Sequence, residues 1–300
     1  NKNFNWISTN DGLNRYDGKI NTIFKSNPFD EKTISNNNIN FTYQINNEGI
    51  FIFTSSGLDF YNYSTLDFER IITNTTPTNF YKKNKYLFIP SLNNGISVID
   101  IENKKNIKNY LFDPRNPLSI SSSNFEFDQK DIMLLTNNFN DSSLWVGTSN
   151  GLNKIDLKTQ SNKRFYYQKN KISVPSNEIT DLYELDTTII VGTKLGLIQI
   201  NKNNNSLIEI DLLNEQHIID IFDINNSIII HTDEGIFEVN NSFSELKSSL
   251  IKNKKLKVKK INKNEFVCWN ESKIERVFYF NNKINRQTIS MPIGTEINDI

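Results

Sequence analysis

One pattern recurs along this chain, and it restricts the possible folds more than any other feature. It is most complete in "LWVGTSNGLNKIDLKT" (Leu144 to Thr159), where alternating apolar residues run into a Gly-Thr pair, a polar turn and a Gly-Leu pair before alternation resumes. Further copies are "WISTNDGLNRYD" from Trp6, "FIFTSSGLDFYN" from Phe51, "FIPSLNNGISVID" from Phe88, "IVGTKLGLIQIN" from Ile190 and "IIHTDEGIFEVN" from Ile229, with a degenerate "FVCWNESKIERVFYFN" from Phe266. The shared glycines are Gly12, Gly57, Gly95, Gly151, Gly196 and Gly235, spaced 45, 38, 56, 45 and 39 residues apart. That period matches one four-stranded blade of a β-propeller.

Each copy reads as two adjacent strands of a blade. Alternation of large and small side chains lets one face fill the space between blades, and a small Gly or Ser permits close approach of the next sheet. The glycine after the polar pair supplies the positive φ that a tight hairpin requires. An inner strand precedes each motif, as in "NNINFTYQIN" from Asn37, "NEITDLYEL" from Asn177 and "HIIDIFDIN" from His217, and "NTIFK" (Asn21 to Lys25) and "RFYYQ" (Arg164 to Gln168) supply outer strands. No helical period is sustained, so the expected class is all-β. The expected architecture is a seven-bladed β-propeller of four-stranded antiparallel blades, one domain over residues 1–300. Residues 3–25 offer only three strands of a blade, and "GTEINDI" (Gly294 to Ile300) resembles an inner strand. The expectation is therefore closure by Ile297 to Ile300 pairing beside Phe4 to Thr9, which removes an exposed edge.

Composition narrows the function classes. The chain of 300 residues is 37% hydrophobic and carries 34 basic and 34 acidic residues, enough to bury a large core but with no net field favouring nucleic acid or an anionic membrane. Cys268 is the sole cysteine, so no internal disulfide and no cysteine zinc site can form. No leader and no apolar run long enough to span a bilayer is present, and the chain reads as a mature or excised soluble domain. His217 and His231 fall on different strands without a third ligand, so no metal site and no cofactor is expected. Scattered carboxylates allow many glycosidase-like pairs and single out none, and no nucleophile elbow or phosphate loop occurs. The Lys-rich run "KNKKLKVKKINKN" (Lys252 to Asn264) reads as a solvated edge strand guarded by Lys, with a polyanion site as the alternative.

"NDGLNRYDGK", "LWVGTSNGLNKIDLKT" and the connecting pieces "SNPFDEKTISNNNI" and "FDPRNPLSISSSN" resemble the two-component-regulator propeller repeat, found in periplasmic sensor regions of bacterial hybrid histidine kinases and related transcriptional regulators, notably in Bacteroidetes. The resemblance spans nearly the whole chain. It implies a non-enzymatic extracytoplasmic sensor, commonly for glycans. In the family such a propeller leads through a further β-domain and a membrane helix to a kinase or DNA-binding module, in a dimeric receptor. A protein–protein interaction scaffold and, third, a propeller lyase or glycosidase are the alternatives.

Ligand discrimination in such a fold belongs to the loops, since the strands repeat. The hairpin turns and the links between blades emerge on one face. The two longest links, Ser26 to Asn38 and Asp113 to Asn124, offer Phe29, Asp30, Arg115 and Asn116 as candidate contacts for an oligosaccharide, and the turns add Asn10, Asp11, Asn93, Asn94, Asn150 and Asp233. Trp6 and Trp145, at a repeated strand position, are expected in the core between blades together with the structural glycines, while Trp269 is ambiguous.

Overall fold

In a computed structural model of the chain, the described residues are 4–92, 94–123, 133–138, 141–254, 256–270, 273–280 and 283–289. They contain strands and no helix. Two compact units divide the chain, residues 1–128 and 129–300.

The first unit holds three sheets, each a meander in chain order. They are β1 (Asn5–Thr9), β2 (Gly12–Tyr16) and β3 (Asn21–Phe24); β4 (Ile39–Asn46), β5 (Gly49–Thr54), β6 (Gly57–Asn62) and β7 (Phe68–Thr73); and β8 (Tyr81–Lys83), β9 (Tyr86–Ser91), β10 (Gly95–Asp100) and β11 (Lys105–Tyr110). The second unit holds four more. They are β12 (Met133–Asn138), β13 (Asp141–Thr148), β14 (Gly151–Asp156) and β15 (Asn162–Phe165); β16 (Ile179–Glu184), β17 (Thr188–Thr193), β18 (Gly196–Asn201) and β19 (Leu207–Ile210); β20 (Ile218–Ile224), β21 (Ser227–Thr232), β22 (Gly235–Val239) and β23 (Leu246–Ile251); and β24 (Lys257–Asn262), β25 (Glu265–Trp269), β26 (Ile274–Phe280) and β27 (Lys283–Ile289). Seven consecutive antiparallel sheets, six of four strands and the first of three, are the strand plan of a seven-bladed β-propeller. The terminal strand expected to complete the first sheet, residues 297–300, lies outside the described residues.

The repeated motif has a local chemical cause. The hydroxyls of Thr9, Thr54, Thr148 and Thr193 donate to the carbonyls of Gly12, Gly57, Gly151 and Gly196 at 2.7, 3.3, 2.8 and 2.9 Å. Each hydroxyl also accepts the backbone N–H two residues on, at 3.1 to 3.2 Å. One Thr thus braces both sides of a two-residue turn, which is why T-x-x-G recurs. At Gly57, φ is +155° and an added Cβ would lie 1.9 Å from the carbonyl oxygen of Ile72 on the outer strand, so glycine is needed for conformation and for space.

At the other end of the blades a second device repeats. The side-chain oxygens of Asn62, Asp100, Asp156 and Asn201 accept backbone N–H groups two and three residues on, at 2.7 to 3.3 Å. The chain then reverses through Leu66, Lys104, Gln160 and Asn205 at φ of 62, 55, 61 and 60°. The Asn or Asp that closes each third strand is a turn former, and the N–H groups of Thr159 and Lys158 hold the Asp156 carboxyl below its ordinary range.

Between blades the packing is aromatic and aliphatic. Trp145 is fully buried, stacks on Phe165 and shares a cluster with Leu182 and Ile189 of the next sheet. Trp6 also lies between sheets, against Tyr61 and Tyr63, but is only partly buried and donates its Nε1 to the Tyr63 hydroxyl at 3.2 Å. Trp269 is buried beside Val267 and Ile274. A Cβ at Gly192 would meet Ile218 of the neighbouring sheet at 2.9 Å, which bears out the expected use of a small residue for close approach. One outer strand is shifted from its expected place. It is Asn162 to Phe165 rather than 164–168, because the Tyr167 N–H leaves the ladder to donate to Asn177 Oδ1 at 2.7 Å.

Candidate functional site: the loop face

Backbone bonds bring each glycine turn together with the link that enters the next blade. The N–H groups of Gly12, Gly95 and Gly151 donate to the carbonyls of Asn37, Ser123 and Asn177 at 2.7, 3.1 and 2.6 Å. Turns and inter-blade links therefore share one face within each unit, as expected.

The two long links follow a common internal plan, and a third link, residues 166–178, shares it. Ser26, Phe112 and Tyr167 donate their N–H to Asn37 Oδ1, Ser123 Oγ and Asn177 Oδ1 at 2.7, 2.6 and 2.7 Å. Inside each loop the N–H of Asn27, Asp113 or Gln168 donates to the hydroxyl of Thr33, Ser119 or Ser173 at 2.9, 2.9 and 2.8 Å. Each loop then plugs a buried aliphatic residue into the core: Ile34, Ile120 or Val174. The third copy was legible as "SVPSNEI", which matches "TISNNNI" in spacing up to the first residue of an inner strand.

This plan fixes what several candidate residues do. Asp30 accepts the Lys32 N–H at 2.9 Å and Asn116 accepts the Leu118 N–H at 2.9 Å, both as turn formers. Phe29 is 98% exposed at its loop tip. The Arg115 side chain is also extended into solvent, its guanidinium 3.5 Å from Asp113 of the same loop. Asp11 pairs with Lys25 beside the exposed Asn10, Asn150 donates its N–H to Thr148 Oγ1 at 3.1 Å, and Asp233 accepts the His217 N–H at 3.0 Å. Asn93 lies outside the described residues.

Asn94 is the candidate that borders a groove. Between β7 and β11, a cleft of about 340 Å³ is lined by Ile71, Thr75, Asn94, Asn106, Asn109 and Leu111, among others. Its lining carries no charged group. Asn109 Oδ1 accepts from Ser97 Oγ at 2.9 Å and from Asn106 Nδ2 at 3.0 Å, which turns the Asn109 NH2 into the donor available to a guest. The buried Thr75 hydroxyl has no hydrogen-bond partner among the described residues, an arrangement that is costly unless something supplies one. Thr75, Asn106 and Asn109 carry no signal in the sequence, because Thr75 sits in the link after β7 and the two asparagines on β11 of the next blade, outside the repeated motif. In the second unit the third loop borders a smaller cleft of about 290 Å³, where half-exposed Tyr167 faces Lys171, Glu209, Asp211 and Asn214.

Beneath the first long loop lies the buried Asp59, whose Oδ2 accepts both the N–H and the hydroxyl of Ser35, at 2.7 and 2.8 Å. Burial pushes its carboxyl up to about 6, against the lowering effect of the Ser35 bonds and the Arg70 charge. Among the described residues no group of three His, Cys, Asp or Glu is placed to hold a metal, and no helix is long and apolar enough to cross a membrane.

No protein-family model matches the chain, and no curated protein matches it in sequence. Solved structures do. The extracellular domain of a putative hybrid two-component system from B. thetaiotaomicron is similar over 95% of this chain and 44% of its own, at 16% identity and a TM-score of 0.52. A second structure, the extracellular domain of a putative one-component system from the same organism, gives 98%, 45%, 16% and 0.52. The computationally designed Ika8 protein is similar over 96% of this chain and 84% of its own, at 12% identity and a TM-score of 0.57. The chain spans less than half the length of the two extracellular domains. The chain is an all-β protein with the strand plan of a seven-bladed propeller, and its structural neighbours include extracellular domains of B. thetaiotaomicron signalling systems, the kind of protein its repeats resemble.

Proposed function

We propose that this chain is one propeller domain, the extracytoplasmic and periplasmic sensor part of a two-component receptor, non-enzymatic, and responsive to an oligosaccharide bound on its loop face. The supporting observation is the uncharged groove at Asn94. Carboxamides of Asn94, Asn106 and Asn109 suit the hydroxyls of a neutral sugar, and Ile71 and Leu111 suit its apolar face. The likeness to extracellular domains of signalling systems supports the sensor role and the location. Neighbouring domains of the same receptor and a second copy of it are the partners this reading calls for. The competing reading is a protein-docking propeller, and the nearly naked ring of Phe29 at a loop tip favours it. Calorimetric titration with neutral oligosaccharides separates the two. Saturable binding that weakens about tenfold in Asn109→Ala, with the fold retained by circular dichroism, supports the sugar reading, since a lost hydrogen bond in a groove is worth about 1 kcal/mol or more. Absence of sugar binding alongside a partner protein lost on Phe29→Ala overturns it.

A further inference from the structure

A third groove opens at the opposite ends of the last two blades, away from the glycine turns. It encloses about 570 Å³ between β22 and β23 on one side and β26 and β27 on the other. Lys247, Lys283 and Arg286 line it together with Glu238, Ser248 and Tyr279. Lys283 has no ion-pair partner among the described residues, and Lys247 lies 3.9 Å from Glu238. Arg286 commits one guanidinium nitrogen to the Leu250 carbonyl, which fixes the planar group while its other N–H donors stay directed elsewhere. Glu238 accepts the Ser248 hydroxyl at 3.2 Å. Three cations therefore face one carboxylate.

The groove also lies in the most basic part of the chain. Residues 247–289 carry twelve Lys and Arg against three Glu and no Asp, whereas the whole chain is balanced at 34 against 34. An asymmetry of this size steers anions toward this part of the second unit. Only part of it belongs to the Lys-rich run, whose Lys254 and Lys260 are paired with Glu234 and Asp223 and whose strand β24 forms the exposed edge of its sheet.

We propose that this groove binds an acidic oligosaccharide, a short run of sugars bearing carboxylate or sulfate groups. The lining separates this from other polyanions. A chain of phosphates presents acceptors alone and would be repelled by Glu238, whereas an acidic sugar presents hydroxyl donors for Glu238 as well as anionic acceptors for Lys247, Lys283 and Arg286. The Tyr279 ring adds an apolar wall against which a sugar face packs. The site is independent of the loop-face groove, which has no charged lining.

The test uses the intact chain and three probes: trigalacturonate, its methyl ester, and inorganic tripolyphosphate, titrated at low salt and again at physiological salt. Trigalacturonate is expected to bind saturably, more weakly as salt rises, and the uncharged ester is expected not to bind. Lys247→Ser and Lys283→Ser should each weaken trigalacturonate about tenfold with melting temperature unchanged, while Lys158→Ser, on an exposed turn of the same unit, should have no effect. Asn109→Ala, which reports on the loop face, should also leave this binding intact. No binding of trigalacturonate, equal binding of the ester, or equal loss in Lys158→Ser overturns the proposal, as does tripolyphosphate binding as tightly with the same dependence on Lys247 and Lys283.

Discussion

Asp59 and Ser35 are joined twice, the backbone N–H and the hydroxyl of Ser35 both donating to one carboxylate oxygen of a fully buried aspartate, at 2.7 and 2.8 Å. Sister blades place Asn14, Ser97 and Asn153 at the same step of the repeat, so a buried acid here is particular to the blade that anchors the loop carrying Phe29 and Asp30. The folded carboxyl titrates at about 6 against an ordinary 3.8, so the folded state holds its proton more tightly than the unfolded chain. Stability from this group therefore falls as pH rises from about 4 to about 6, by roughly 3 kcal/mol at most. Thermal melts across that range should show the decline in wild type and a flatter profile in Asp59→Asn.

Two glycines with similar sequence roles should respond differently to alanine. At Gly57 a Cβ would lie 1.9 Å from the Ile72 carbonyl oxygen, whereas at Gly196 the nearest atom is 3.5 Å away. Both have positive φ, so both variants carry backbone strain of about 1 kcal/mol. Gly57→Ala adds a clash with backbone and should lose clearly more in denaturant unfolding than Gly196→Ala.

Trp145 and, one blade on, Thr193 divide stability between cavity and turn. Trp145→Ala empties a fully buried site and should cost about 3 to 5 kcal/mol. Thr193→Val removes the brace to the Gly196 carbonyl and the Leu195 N–H, 2.9 and 3.1 Å in the structure, and should cost about 1 kcal/mol. Urea unfolding at fixed pH measures both.

Among the described residues the first sheet has three strands where the other six have four. If residues 297–300 supply the missing strand, deleting the last five residues should lower the melting temperature of the whole chain in a single transition. A truncated chain that melts like wild type contradicts that closure.

The strand plan was legible because the turns are written locally: Thr braces and Gly reverses within four residues, and Asn62, Asp100, Asp156 and Asn201 end their strands by capping the next turn. The outer strand at 162–165 was misplaced because Tyr167 answers to Asn177, ten residues away. The grooves were not legible for the same reason. Thr75, Asn94 and Asn109 meet only after two blades pack, and neither local alternation nor turn chemistry records that meeting. Asp30 and Asn116 looked like ligand groups because turn formers and sugar contacts draw on the same side chains.

The central claim is that the loop face recognises a neutral oligosaccharide without altering it. The most direct measurement is calorimetric titration of the chain with a panel of neutral oligosaccharides, with the sugar recovered and analysed afterwards. Saturable binding of one member, recovered unchanged, and about tenfold weaker binding in Asn109→Ala are expected. Cleaved sugar, or binding that Asn109→Ala leaves intact, would contradict the claim.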